Sequence, residues 1–290
     1  LKYPNLLDHY IIAPVPHEMT NMTVLPLLLE PEQLATHLDN NQLLIIDLCK
    51  ESVYQQAHIP HAIWLNSRLL VSGVFPASGQ LPTIEQLNSL FSTLGLSPET
   101  HVVVYDDEGG GWAGRLIWTL DAIGHPHYSY LNGGLHAWLA ANLPIENTPN
   151  NAKSTLTDLH IDPTPQVDID YLLAHYQDTD HIIWDARSPE EFSGERLLAQ
   201  RGGHIPHAVN YEWTLAMDKT NSLKIRDLAV IRAELAQLGI SNEKTVITHC
   251  QTHHRSGFTY LIGRILGFNI KAYAGSWSEW GNRPDTPIVK

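Results

Sequence analysis

Short segments of this chain return in the same order roughly 140 residues later, and no other feature limits its fold so tightly. His58-Ile59-Pro60-His61-Ala62 recurs as His204-Ile205-Pro206-His207-Ala208, 146 positions on. Leu43-Leu44-Ile45-Ile46-Asp47 answers His181-Ile182-Ile183-Trp184-Asp185 at an offset of 138. The run from Val102 to Asp106 answers that from Val246 to Cys250 at 144, and Leu131 through Trp138 answers Tyr273 through Trp280 at 142. Four matches in one order mean two copies of one domain. The rising offset places about eight extra residues in the second copy, between Asp185 and His204. A length of 290 residues suits two domains of about 150 each.

The copies are expected at 22–146 and 166–290, joined by a linker over 147–165 whose Asn, Thr, Asp and Pro content cannot bury a core. Residues 1–21, with Pro4, Pro14 and Pro16 and no apolar period, read as an N-terminal extension. Within each copy, short Val- and Ile-rich runs at 43–47, 102–105, 182–185 and 245–249 read as buried strands. Ile84–Leu94 and Ile225–Leu238 have helical spacing and stop at Gly95 and Gly239. Such alternation predicts an α/β fold, each copy a mostly parallel sheet with helices on both faces. Ligands bind such sheets beyond the carboxyl ends of the strands. The loops just after Tyr105 and His249 are therefore the places to look for chemistry.

Charge and composition exclude several functions. The net charge of −13 argues against nucleic acid or an anionic membrane as the main partner. No apolar run approaches the roughly 18 residues of a membrane span, and no secretory signal pattern opens the chain. Two cysteines, Cys49 and Cys250, cannot build a disulfide framework, which fits a reducing compartment with the cytoplasm as the default.

In the second copy the strand runs into His249-Cys250-Gln251-Thr252-His253-His254-Arg255-Ser256-Gly257 and then a helical stretch, Phe258–Leu266. Backbone N–H groups of such a loop and of the helix start can converge on the Cys250 sulfur. A thiol beside a helix N-terminus titrates at about 3.5 to 7.5 rather than near 8.5, so Cys250 is expected to be a nucleophilic thiolate. Arg255 can fold back over the rim to hold an anion. His253 and His254 can tune the charge or protonate a leaving group.

The first copy carries Tyr105-Asp106-Asp107-Glu108-Gly109-Gly110-Gly111-Trp112 instead. Asp106 takes the place of the cysteine, so this copy is expected to be chemically inert. Asp106, Asp107 and Glu108 lack the alternating spacing of a calcium loop, and no metal is assigned to them. Trp112 is expected to supply a wall of the cleft between the copies. The His-x-x-His pairs at 58/61 and 204/207 bracket Ile-Pro in both copies and read as structural turns rather than metal ligands.

These motifs together resemble the tandem-domain rhodaneses. The resemblance covers nearly all of 22–290 and rests on the cysteine loop, both His-Ile-Pro turns, Asp185-Ala186-Arg187, Asn132-Gly133-Gly134 and the terminal Gly281-Asn282-Arg283-Pro284-Asp285-Thr286-Pro287. It implies thiosulfate sulfurtransferase activity without a cofactor, with sulfane sulfur held as a Cys250 persulfide and passed to cyanide, a thiol or a protein acceptor. It also implies that Arg187, with Gln251, Thr252, His253, His254, Arg255 and Trp112, lines the substrate site. Two departures stand out: Gln251 and Thr252 are neutral where thiosulfate-preferring members carry cations, and Glu191 stands where a second arginine is usual. The Gly-Ser-Gly loop of the 3-mercaptopyruvate-preferring members is absent.

A sulfur carrier with weak turnover is the rival from another class. Cysteine-dependent phosphatases share the strand–loop–helix plan, but their loops resemble Cys-x5-Arg. Four residues separate Cys250 from Arg255, one amide fewer, which suits a single sulfur better than a tetrahedral phosphate.

Overall fold

The computed structural model describes residues 25–290, so the 1–21 extension lies outside the described residues. The first sheet comprises β1 (Leu28–Leu29), β2 (Leu43–Asp47), β3 (Ile63–Trp64), β4 (His101–Tyr105) and β5 (Tyr128–Leu131), in the order β1-β5-β4-β2-β3. The second repeats that order with β6 (Gln166–Val167), β7 (His181–Asp185), β8 (Val209–Asn210), β11 (Thr245–His249) and β12 (Ile270–Tyr273), arranged β6-β12-β11-β7-β8. Every pairing in both sheets is parallel. A small antiparallel pair, β9 (Met217–Asp218) and β10 (Lys224–Ile225), stands apart. The four expected strand runs are all present as strands.

The first copy contributes α1 (Pro31–Ala35), α2 (Glu51–Tyr54), α3 (Ile84–Leu94), α4 (Gly111–Ala122) and α5 (Gly134–Ala140). The second contributes α6 (Ile169–His175), α7 (Pro189–Ser193), α8 (Leu228–Gln237), α9 (Arg255–Ile265) and α10 (Ser276–Trp280). Thr83 and Gln86 form a capping box at the start of α3, and Gly95 ends it in the left-handed region at φ 82°. The helix expected from Ile225 starts later. Ile225 pairs with Met217 in the hairpin, and the Asp227 carboxylate caps α8 by accepting the Ala229 and Val230 N–H groups.

Repeat symmetry extends to side chains. Trp138 donates its indole N–H to the Pro144 carbonyl, and its counterpart Trp280 does the same to Pro287. His58, the first His-Ile-Pro histidine, is buried against Tyr54 and bonds its carbonyl, while His61 and His207 sit at φ 66° and 65° in tight turns. The segment 147–165 runs along α3. Thr155 N–H bonds Ser92 O, Thr157 Oγ1 bonds Asn88 O, and Leu156 points fully into solvent.

The two copies meet along α4 and α9, both buried through most of their length. They touch backbone to backbone: a Cβ on Gly114 would run into the Gly257 carbonyl, and one on Gly257 would sit 2.6 Å from Arg115 N. Farther along, Asp121 of α4 accepts from Tyr260 Oη and Arg264 Nη1 of α9, each at 2.7 Å. The helices that come after β4 and β11 thus pack together, and the loops that begin them lie near the domain boundary. Among the described residues no helix is long and apolar enough to cross a membrane.

Candidate active site

Cys250 comes directly after the last residue of β11, where the buried strand delivers it to the sheet's carboxyl edge. Its carbonyl accepts from Trp277 N and that of Gln251 from Ser278 N, both at 2.9 Å, which ties the loop to α10. The sulfur receives the N–H groups of Thr252 and Ser256 and the Ser256 hydroxyl, with the Arg255 charge nearby. Burial pushes the thiol up, but the Arg255 charge and these three donors outweigh it and hold Cys250 below the usual thiol value. Cys250 is 1% exposed, whereas Gln251, Thr252, His254 and Arg255 around it are partly exposed.

His253 does not line the site. It is fully buried at φ 56°, its ring edge-on to Trp118 at 4.5 Å, and its Nδ1 lies 2.7 Å from Ser256 Oγ. Burial, then the Arg115 charge, hold it well below the ordinary histidine value, so it is neutral with a single ring N–H. Its Nδ1 partner, the Ser256 hydroxyl, is one of the groups that lower the Cys250 thiol.

Arg187 also departs from the expectation that it faces the cleft. It is 1% exposed, donates to both carboxylate oxygens of Asp185 and to Gly203 O, and stacks on Trp277 at 4.2 Å. A guanidinium this far from water is kept by its buried partner, Asp185, which His249 and Arg187 hold below the usual carboxylate range despite burial. Arg255 is tied as well: it donates to both oxygens of Glu191 at 2.5 and 2.9 Å. Gln251 donates its side-chain amide to Leu198 O at 3.0 Å.

Trp112 does come to the loop from the other copy. Its ring lies 4.6 Å from that of His254, and Trp213 approaches the same imidazole at 5.7 Å. The His254 Nε2 bonds Glu108 Oε1 across the domain boundary. Burial pulls His254 down, but the bond to Glu108 and that carboxylate's charge raise it overall.

The corresponding loop of the first copy is filled by its own side chain. Asp106 Oδ1 accepts from Glu108, Gly109 and Gly110 N–H at 3.1, 3.1 and 2.8 Å, and Oδ2 from Ala113 N–H at 3.0 Å. Burial, with the nearby Glu108 charge, pushes Asp106 up to about 6. Asp106, Asp107 and Glu108 do not converge on a common point: Asp106 turns to amides and Glu108 to His254. Among the described residues the one group with metal-ligand spacing is Asp178, Asp180 and His181, exposed for the most part and at the far end of β7. Cys49 is buried; desolvation and then Asp47 push its thiol far up, away from nucleophilic use.

The pairs Arg255–Glu191 and His254–Glu108 were not readable beforehand. Glu191 stood out in the sequence only as a departure, and Glu108 only as one of three clustered acids.

The family model described as Rhodanese-like domain matches residues 30–141 and again 168–283. The chain is 50% identical over 274 residues to "Thiosulfate sulfurtransferase" of Azotobacter vinelandii, covering 93% of this chain and 99% of that protein. It is 47% identical over 271 residues to "Thiosulfate sulfurtransferase" of Pseudomonas aeruginosa, with the same coverage. Its fold matches the anaerobic ergothioneine biosynthesis enzyme from Chlorobium limicola at TM-score 0.81 and 22% identity, over 91% of this chain and 70% of that one. With both sheets in the same strand order and both halves matched, this chain belongs to the rhodanese-like domain family and carries the domain twice.

Proposed function

We propose that this chain is a thiosulfate sulfurtransferase in which a catalytic domain, 166–290, works through Cys250, joined by 147–165 to an inert domain, 22–146. The observation that carries the reading is Cys250 set directly after β11, where hydrogen bonds from the Ser256 side chain and the Ser256 and Thr252 backbone, with the Arg255 charge, hold its thiol below the usual value. A thiolate so held is a nucleophile at neutral pH. Thiosulfate as donor is supported by the names of the Azotobacter and Pseudomonas relatives.

In the first half-reaction the Cys250 thiolate attacks the outer sulfur of thiosulfate. One S–S bond forms, the other breaks, and its electron pair leaves with sulfite. Cys250 keeps a persulfide whose terminal sulfur is negative, where the loop amides stabilise it. In the second half-reaction cyanide, a small thiol or a protein thiol attacks that outer sulfur, and the electron pair returns to Cys250. Charge and atoms balance without a cofactor. A reducing compartment such as the cytoplasm suits a nucleophile that must stay a free thiol.

Cys250→Ala is expected to abolish thiocyanate formation from thiosulfate and cyanide. Thiosulfate treatment of the native protein is expected to add about 32 Da, one sulfur atom, on Cys250 alone. Initial rates over both substrates are expected to give the parallel lines of a ping-pong mechanism. Residual turnover in Cys250→Ala, or the added mass on another residue, would sink the assignment.

A further inference from the structure

Among the described residues, two of the permanent cations around Cys250 are closed on carboxylates. Arg187 is closed on Asp185, and Arg255 on both oxygens of Glu191. Arg115 of the first copy keeps its charge, but it is fully buried with its guanidinium turned to the carbonyls of Leu70, Gly79 and Gln80, out of reach of a solute. A dianionic donor nevertheless needs a positive partner near the sulfur.

His254 is a partly exposed basic group beside the loop that both copies are shaped around, and its carboxylate partner, unlike the buried Glu191 that holds Arg255, is itself open to solvent. Glu108 from the first loop bonds its Nε2; Trp112 and Trp213 flank its ring. At Gly111 any side chain would strike that same nitrogen, so the glycine leaves the space the imidazole fills. The His254 and Glu108 side chains are 23% and 35% exposed, open enough to meet a solute. We propose that His254, held by Glu108 of the first domain, is the group that receives the anionic end of the sulfur donor, so that the copy without a cysteine completes the active site.

This role for His254 rests on the sulfurtransferase reading. Glu108 is a positioning residue: it fixes the ring and favours the imidazolium. The other charges facing His254 act the same way or cancel. Cys250 and Asp106 also favour the imidazolium, and the adjacent Arg255 is matched by Glu191. His253 is neutral, while Lys50 and Arg68 offset Glu51 and Asp107 in the depression that Glu108 and Trp112 share. His254 is charged below its raised pKa, so donor binding weakens as pH rises through it, and removing Glu108 moves that limb to lower pH.

The test is steady-state kinetics of Glu108→Gln over a pH series. The Michaelis constant for thiosulfate is expected to rise about tenfold, as for loss of one charge-assisted contact, with the alkaline limb moved down. A neutral thiol is expected to discharge the preformed persulfide within about twofold of the native rate, since that step does not use the anion site. Adding His254→Lys, whose charge needs no partner, is expected to restore thiosulfate binding and remove the limb. Unchanged kinetics in Glu108→Gln, equal damage to both half-reactions, or no rescue by His254→Lys in folded protein overturns the proposal. A native protein that never forms a Cys250 persulfide overturns the sulfurtransferase reading as well. Should the variants not fold, NMR titration of His254 in the native protein decides: added sulfite must raise its pKa, and no shift overturns the proposal.

Discussion

Arg255 and Glu191, 64 residues apart in the chain, close a two-point ion pair at 2.5 and 2.9 Å beside the nucleophile. Glu191 is 2% exposed and is also the third residue of α7, where it completes the Ser188 capping box. One carboxylate therefore fixes a helix start and pairs with a cation whose charge acts on Cys250. The side chain that broke the expected arginine pattern is the one that restrains the arginine still present.

Glu191→Gln keeps the capping box and releases Arg255. The Michaelis constant for thiosulfate is expected to fall severalfold, with about 1–2 kcal/mol lost from stability because Arg255 is already partly solvated. Steady-state kinetics and urea denaturation check both effects. A rise in the Michaelis constant would mean that Glu191 presents Arg255 to the donor.

Cys250 is held below an ordinary thiol and Cys49 far above one. A lowered pKa keeps the thiolate populated to lower pH, so alkylation of Cys250 is expected to stay fast at neutral pH. Cys49 is expected to remain unmodified until the protein unfolds. Rates of iodoacetamide labelling by mass spectrometry across pH give the profile, and Arg255→Met is expected to move the Cys250 midpoint upward.

Asp106→Ala leaves four loop N–H groups without their acceptor, a loss of about 2–4 kcal/mol after partial hydration, whereas Asp106→Asn retains part of the acceptor capacity. The carboxyl titrates near 6 in the fold and lower when unfolded, so the native state takes up the proton first. Stability of the wild type relative to Asp106→Asn is therefore expected to rise as pH falls from 7 towards 4. Urea melts of both proteins at several pH values test the sign.

Gly114→Ala places a methyl group against the Gly257 carbonyl, where the α4 and α9 backbones touch. The helices must separate, at a cost of about 1–3 kcal/mol, and Glu108 then draws away from His254. A lower melting temperature with weakened thiosulfate turnover is expected, read by thermal denaturation and the thiocyanate assay. Full activity would show that the domain contact is not needed for catalysis.

The repeat, the strands and the cysteine loop were legible because each is local: a five-residue apolar run or a nine-residue loop carries its own pattern. Arg187 was not, since its short reach to Asp185 and its burial under Trp277 depend on a turn that only the folded second copy makes. His253 and His254 are adjacent and identical in type, yet one is sealed beneath the loop and the other faces the first copy. Neither periodicity nor spacing separates them. The Glu108 contact spans 146 residues and exists only once both copies have docked.

The carboxylate inside the first loop limits how much each molecule can carry. Because Asp106 is covalently anchored and saturates its own ring of amides, no incoming chalcogen can displace it. The first loop is thereby closed to sulfur, and a loaded molecule is expected to hold one exchangeable atom per polypeptide.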